Sequence, residues 1–105
     1  MVTTVSIQEL AAAKDRGDVV VDVREHYEYI SGHVPGAAHV PMSLVPLRVD
    51  EFPKDKPVYL LCESGARSWQ VAAFLDRHGI QAYNVNGGTS AWRASGLPLA
   101  TGASA

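Results

Sequence analysis

Val58-Tyr59-Leu60-Leu61-Cys62-Glu63-Ser64-Gly65-Ala66-Arg67-Ser68-Trp69-Gln70-Val71-Ala72-Ala73-Phe74-Leu75 reads as strand, loop and helix in that order. An apolar run ends in the only cysteine of the chain. A short loop with one glycine follows, then an arginine, then a helical pattern. The first N–H groups of a helix have no intrahelical partner and point back at the preceding loop, so the unit forms an anion cradle. A thiol placed there faces aligned dipoles that favour its ionised form. Cys62 is therefore a candidate thiolate, and Cys62 to Arg67 a candidate pocket.

The rest of the chain can be read as a scaffold for that loop. Its 105 residues imply one domain, ordered from about 6 to 99, with 100–105 a small polar tail expected to fray. A chain of this length buries roughly two thirds of its unfolded surface. The hydrophobic fraction of 47% and charged fraction of 19% give an ordinary globular balance. With a net charge of −2 and no run of lysine or arginine, no nucleic-acid surface is expected. No apolar stretch approaches the ~20 residues that span a bilayer, so no membrane partner is expected. Met1 to Ser6 shows no secretory pattern. A single cysteine makes no internal disulfide, which points to a reducing, cytoplasmic setting.

Thr3 to Val5 reads as a short edge strand. Ser6-Ile7-Gln8-Glu9 has capping-box spacing, opening a helix from about Ile7 to Asp15 that Gly17 closes. Val19 to Val23 opens on three consecutive valines without alternation, as in a parallel strand covered on both faces. It runs into Asp22-Val23-Arg24, at a strand end where functional groups gather in open α/β sheets. A short helix from Glu25 to Ile30, a short strand at His39-Val40 and helical turns from Ser43 to Val49 follow, with Ser43 as the expected cap before Pro46. Asp50 to Pro57 reads as a surface loop. Val58 to Leu61 is a strand and Ala66 to His78 the best helix, with Trp69 expected in the core. Ile80 to Val85 is a last strand. Thr89 is expected to cap a final short helix that buries Trp92. Alternating strands and helices predict an α/β fold with a mainly parallel sheet.

Within the loop, the spacing is Cys-x4-Arg. Gly65 permits a sharp turn, and successive N–H groups there form a nest for an anion or an electron-rich sulfur. Arg67 adds fixed positive charge, either to bind substrate or to lock the loop. Ser64 and Ser68 offer hydroxyl donors. Bland readings stand beside these. A lone cysteine at the end of an apolar strand is most often a buried small hydrophobe. Asp22 and Arg24 read equally as a surface ion pair of little worth. His26, His33, His39 and His78 lack paired ligand spacing, so no metal is expected. No nucleotide-binding glycine loop occurs, and no cofactor is expected. There is no nucleophile elbow of the Gly-x-Ser-x-Gly kind.

Three motifs together resemble a single-domain rhodanese, a sulfurtransferase. The first is Val21-Asp22-Val23-Arg24-Glu25 with Tyr29-Ile30-Ser31-Gly32-His33-Val34-Pro35-Gly36-Ala37. The second is Cys62-Glu63-Ser64-Gly65-Ala66-Arg67-Ser68. The third is Asn86-Gly87-Gly88 with Trp92, Gly96 and Pro98. The resemblance implies a rhodanese fold, with a five-stranded, mainly parallel sheet and helices on both faces. It implies a Cys62 persulfide, charged by a small sulfur donor such as thiosulfate and discharged to cyanide, a thiol or a protein acceptor. It implies a substrate loop of Glu63, Ser64, Gly65, Ala66, Arg67 and Ser68, supported by Asp22 and Arg24. Arg24 is expected to pair with Glu28, the nearest carboxylate, and His33 and Gly36 to be structural. Phosphatases and arsenate reductases on this fold look like Cys-x5-Arg, so Cys-x4-Arg favours sulfur over a tetrahedral oxyanion. Glu63 is the departure: facing the pocket, it would repel a dianionic donor and raise the thiol pKa. A carrier module fed by a partner protein is the alternative reading.

Overall fold

In the computed structural model, which describes residues 2–105, five strands form one sheet. They are β1 (Thr3–Val5), β2 (Val19–Asp22), β3 (Ala38–His39), β4 (Val58–Leu61) and β5 (Ala82–Val85). Their order is β1-β5-β4-β2-β3, and every neighbouring pair is parallel. The helices are α1 (Ile7–Asp15), α2 (His26–Ser31), α3 (Ala66–Arg77) and α4 (Gly88–Ala94), with a 3₁₀ segment at Met42–Glu51.

Period-two alternation explains why the central strands are apolar throughout. Val58, Leu60 and Cys62 pack in one layer with Val71, Ala72 and Leu75 of α3 and with Val45 and Phe52. Tyr59 and Leu61 face the other way, onto Leu10 and Ala13 of α1 and Trp92 of α4. Both faces are thus covered, and each fully buried leucine contributes roughly 1.5–3 kcal/mol. The register also places Cys62 on the α3 face, below the start of that helix. From β2 the chain runs outward to the β3 edge, whereas from β4 it runs to β5 on the other side. The ends of β2 and β4 therefore flank a topological switch point, where α/β sheets open a crevice.

The Ser6 capping box forms: Ser6 Oγ accepts from the Glu9 N–H at 3.1 Å and Glu9 Oε1 from the Ser6 N–H at 2.9 Å. Several expectations are corrected. Pro41, not Ser43, precedes the segment at Met42, which is 3₁₀ in two pieces joined by a kink at Arg48, and Pro46 within it offers no N–H for an α ladder. Asp50 and Glu51 thus leave the expected loop. Ile80 and Gln81 lie outside β5, since the Ile80 N–H instead closes α3 on the Leu75 carbonyl at 3.1 Å. Thr89 does not cap α4: Gly87 does, at φ +76°. Trp69 is 48% exposed, because Ser68, Val71, Ala72 and Leu75 form the buried stripe of α3.

Within residues 100–105, Ala100 and Gly102 have backbone partners. His33 and Ala100 exchange both main-chain bonds at 2.9 and 2.8 Å, and the Gly102 N–H reaches the Ile30 carbonyl at 2.8 Å. The buried His33 ring lies between the Tyr29 and Ser104 carbonyls, 2.9 Å from each, and stacks on Tyr29. Among the described residues no helix is long and apolar enough to cross a membrane.

Candidate active site

Cys62 follows β4 directly and is 1% exposed. Its Sγ accepts from the Gly65 N–H at 3.1 Å and lies 3.3 Å from the Ser68 hydroxyl. Burial pushes the thiol up, but the Ser68 hydroxyl and the N–H groups of Ser68, Gly65 and Ser64 outweigh it. The net effect holds Cys62 below the ordinary thiol range. A buried sulfur ringed by donors offers a seat for negative charge, the arrangement that a thiolate nucleophile requires.

Gly65 makes the turn possible, at φ +107°. The conformation requires glycine, and a Cβ there would also sit tightly, 3.3 Å from the Val85 carbonyl oxygen. Ser64 and Ala66 are exposed beside it.

Two devices hold the loop in place. The first is α4, whose N–H groups at Thr89 and Ser90 donate to the carbonyls of Cys62 and Glu63, each at 2.9 Å. A Cβ on Gly88 would collide with the Cys62 carbonyl oxygen and lie 2.8 Å from that of Glu63. This clamp escaped the sequence reading, though Gly87-Gly88 signalled a close backbone approach. The buried Thr89 hydroxyl has no partner among the described residues.

The second device is ionic. Arg24 is 1% exposed and embraces Asp22 through Nε at 3.1 Å and Nη2 at 2.8 Å. Nη2 also donates to the Gly32 carbonyl at 2.7 Å, and Nη1 to Glu63 Oε1 at 3.0 Å. Arg24 therefore pairs with Asp22 and Glu63, which corrects the expected pairing with Glu28. Glu28 instead binds Arg67 through two bonds of 2.8 and 3.0 Å. The Arg67 guanidinium holds the Glu28 carboxyl down at about 2, against a smaller opposing push from burial. Glu63 binds a second arginine: Arg93 donates to its other oxygen at 3.0 Å. Its charge is spent on Arg24 and Arg93.

The structure thus gathers Cys62, Ser64, Gly65 and Ser68 around the sulfur. It sets Asp22, Arg24, Glu63 and Arg67 in the frame around them. It adds Glu28, Gly88, Arg93 and Asn84, whose Oδ1 lies 2.6 Å from Ser68 Oγ.

The family described as Rhodanese-like domain matches residues 6–95. A protein of Allochromatium vinosum named sulfurtransferase is 42% identical over 93 residues, 88% of this chain and 85% of its own. The thiosulfate sulfurtransferase GlpE of Pseudomonas savastanoi is 32% identical, covering 84% of each chain. The crystal structure of a rhodanese-related protein from Thermoplasma volcanium superposes with a TM-score of 0.89 at 26% identity, over 95% of this chain and 99% of that one.

Proposed function

Because the chain belongs to the rhodanese-like domain family, we propose that it is a sulfurtransferase that works through a persulfide on Cys62. The Cys62 thiolate attacks the outer sulfur of a donor such as thiosulfate. The donor's S–S bond breaks, and sulfite leaves with the electron pair. The persulfide then offers its outer sulfur to cyanide, a thiol or a protein acceptor. Attack there breaks the bond to Sγ and returns the pair to Cys62. Both steps leave negative charge at or beside Sγ, where the Gly65 N–H at 3.1 Å and the Ser68 hydroxyl at 3.3 Å stand ready. That ring of donors around a buried sulfur is the observation that carries the reading.

Asp22 and Arg24 serve as supports rather than as substrate ligands in this account. Arg67 locks the loop to α2, because both of its terminal nitrogens are engaged by Glu28. Sulfite release from thiosulfate tests the proposal. Wild type should release sulfite when an acceptor is supplied, and Cys62→Ala should not. Equal release by both would remove Cys62 from the chemistry.

The charge pattern favours a second reading of the donor. The guanidiniums nearest the loop are already paired: Arg24 with Asp22 and Glu63, Arg67 with Glu28, Arg93 with Glu63. Such a frame suits a protein persulfide as donor as well as a small dianion. Faster sulfur uptake from a cysteine desulfurase than from thiosulfate would select it.

A further inference from the structure

The Ser68 hydroxyl has one proton and two claimants. Its oxygen lies 2.6 Å from Asn84 Oδ1 and 3.3 Å from Cys62 Sγ. Ser68 and Asn84 are 0% and 4% exposed, so bulk water offers neither a substitute partner. A hydroxyl donates once and accepts through its lone pairs, whereas an amide presents an acceptor at one end and donors at the other.

While Cys62 is a thiol, its S–H donates to Ser68 Oγ, and the Ser68 hydroxyl donates to Asn84 Oδ1. The thiol and the hydroxyl then each have an acceptor. A thiolate or persulfide anion can only accept. The Ser68 proton must turn to the sulfur, which leaves Oγ facing Oδ1 lone pair to lone pair. A half-turn of the Asn84 amide relieves this by bringing Nδ2–H against Oγ. The chain of donors then runs from Asn84 through Ser68 to the sulfur. No proton passes to either side chain: the thiol proton leaves to solvent, and the two groups reorient.

We propose that Asn84 is a positioning residue whose amide orientation sets the direction of the Ser68 hydroxyl and so couples β5 to the charge on Cys62. Its place in the catalytic cycle rests on the sulfur-transfer reading above; its effect on thiol ionisation does not. The charged groups around the sulfur are Asp22 and Arg24 beside β2, Glu28 on α2, Glu63 in the loop, Arg67 on α3 and Arg93 on α4. They are paired with one another. Thus the neutral Ser68–Asn84 pair is the adjustable element next to Sγ.

The test is the pH dependence of iodoacetamide alkylation of Cys62 in the full chain. Charge-assisted bonds are stronger than neutral ones, so losing Asn84 costs the thiolate more than the thiol. Asn84→Ala should raise the midpoint by about half a pH unit, roughly a threefold loss of thiolate below it. Ser68→Ala should raise it by about one unit, and the double variant should match Ser68→Ala. The limiting rate at high pH should rise by no more than about threefold, because a more basic thiolate is a somewhat better nucleophile. An unmoved midpoint in Asn84→Ala, or additive shifts in the double variant, overturns the proposal. A second measurement needs no Asn84 variant to fold. In wild type, the Asn84 side-chain amide resonances should titrate with the Cys62 midpoint, and in Cys62→Ala they should not. Resonances that ignore the thiol overturn the coupling. Absence of a persulfide with these shifts intact would overturn only the sulfur-transfer reading.

Discussion

At Cys62, burial and hydrogen bonding pull in opposite directions, and hydrogen bonding wins. The thiolate should persist to lower pH than a free thiol. Alkylation of wild type should therefore reach half its limiting rate below the roughly 8.5 of an unperturbed cysteine. A midpoint at or above that value contradicts the donor ring. Arg24 poses a different problem at the same scale. Asp22 is fully buried, and Arg24 is its ion-pair partner. Arg24→Ala strands that carboxylate and should cost about 3–5 kcal/mol. Urea unfolding measures it, and a loss below about 1 kcal/mol would show the pair to be dispensable. The partner of Arg24 was not legible in the sequence. Proximity along the chain nominated Glu28, but the fold brings Glu63 from 39 residues away. Pairings set by strand order leave no local trace. The same fact answers the question Glu63 raised. Its residue type suggested repulsion of an anionic donor; its two arginine partners absorb that charge.

At the scale of elements, β4, the loop and α3 were legible because an apolar run, a glycine and a helical period follow one another. Trp69 misled because size argues for burial, whereas the buried stripe of α3 runs through the small Ser68 that the sulfur needs. The role of α4 was hidden for a related reason. Its contribution is made by main-chain N–H groups at Thr89 and Ser90, which carry no side-chain signature. Gly88→Ala tests that clamp. A methyl group there meets the Cys62 and Glu63 carbonyls, so the loop must shift. Thiol alkylation should lose its low midpoint while the sheet stays folded by circular dichroism. The link from α2 to α3 has its own signature. Glu28 is held at about 2, below the roughly 4.3 of an unfolded chain, so its contribution is full above the latter value. It is lost as pH falls toward the former. Stability should decline over that interval, and Glu28→Gln should flatten the decline by about 1 kcal/mol, allowing for partial exposure. An unchanged acid profile would mean that the bond does not hold the loop.

At the scale of the whole molecule, the parallel sheet with both faces covered followed from the uninterrupted valines of β2 and the apolar β4. The order of the strands did not follow from pattern alone; the resemblance supplied the fold, and the sheet order then accounts for the site. Opposite departures from β2 and β4 make their ends the topological switch point, and Cys62 and the Asp22–Arg24 pair lie at those two ends. At the C-terminal end the small polar residues 101–105 are exposed, while main-chain bonds from Ala100 to His33 and from Gly102 to Ile30 attach the stretch to the turn after α2.

Sulfur transfer by this chain requires one bond, between Cys62 Sγ and a transferred sulfur. Intact mass spectrometry after incubation with a sulfane-sulfur donor, followed by removal of the donor, reads it directly. Wild type should gain the mass of one sulfur atom, lose it on addition of cyanide, and show neither change as Cys62→Ala. A wild-type chain that alkylates readily at Cys62 yet never gains that mass, from thiosulfate or from a protein persulfide, would contradict the account.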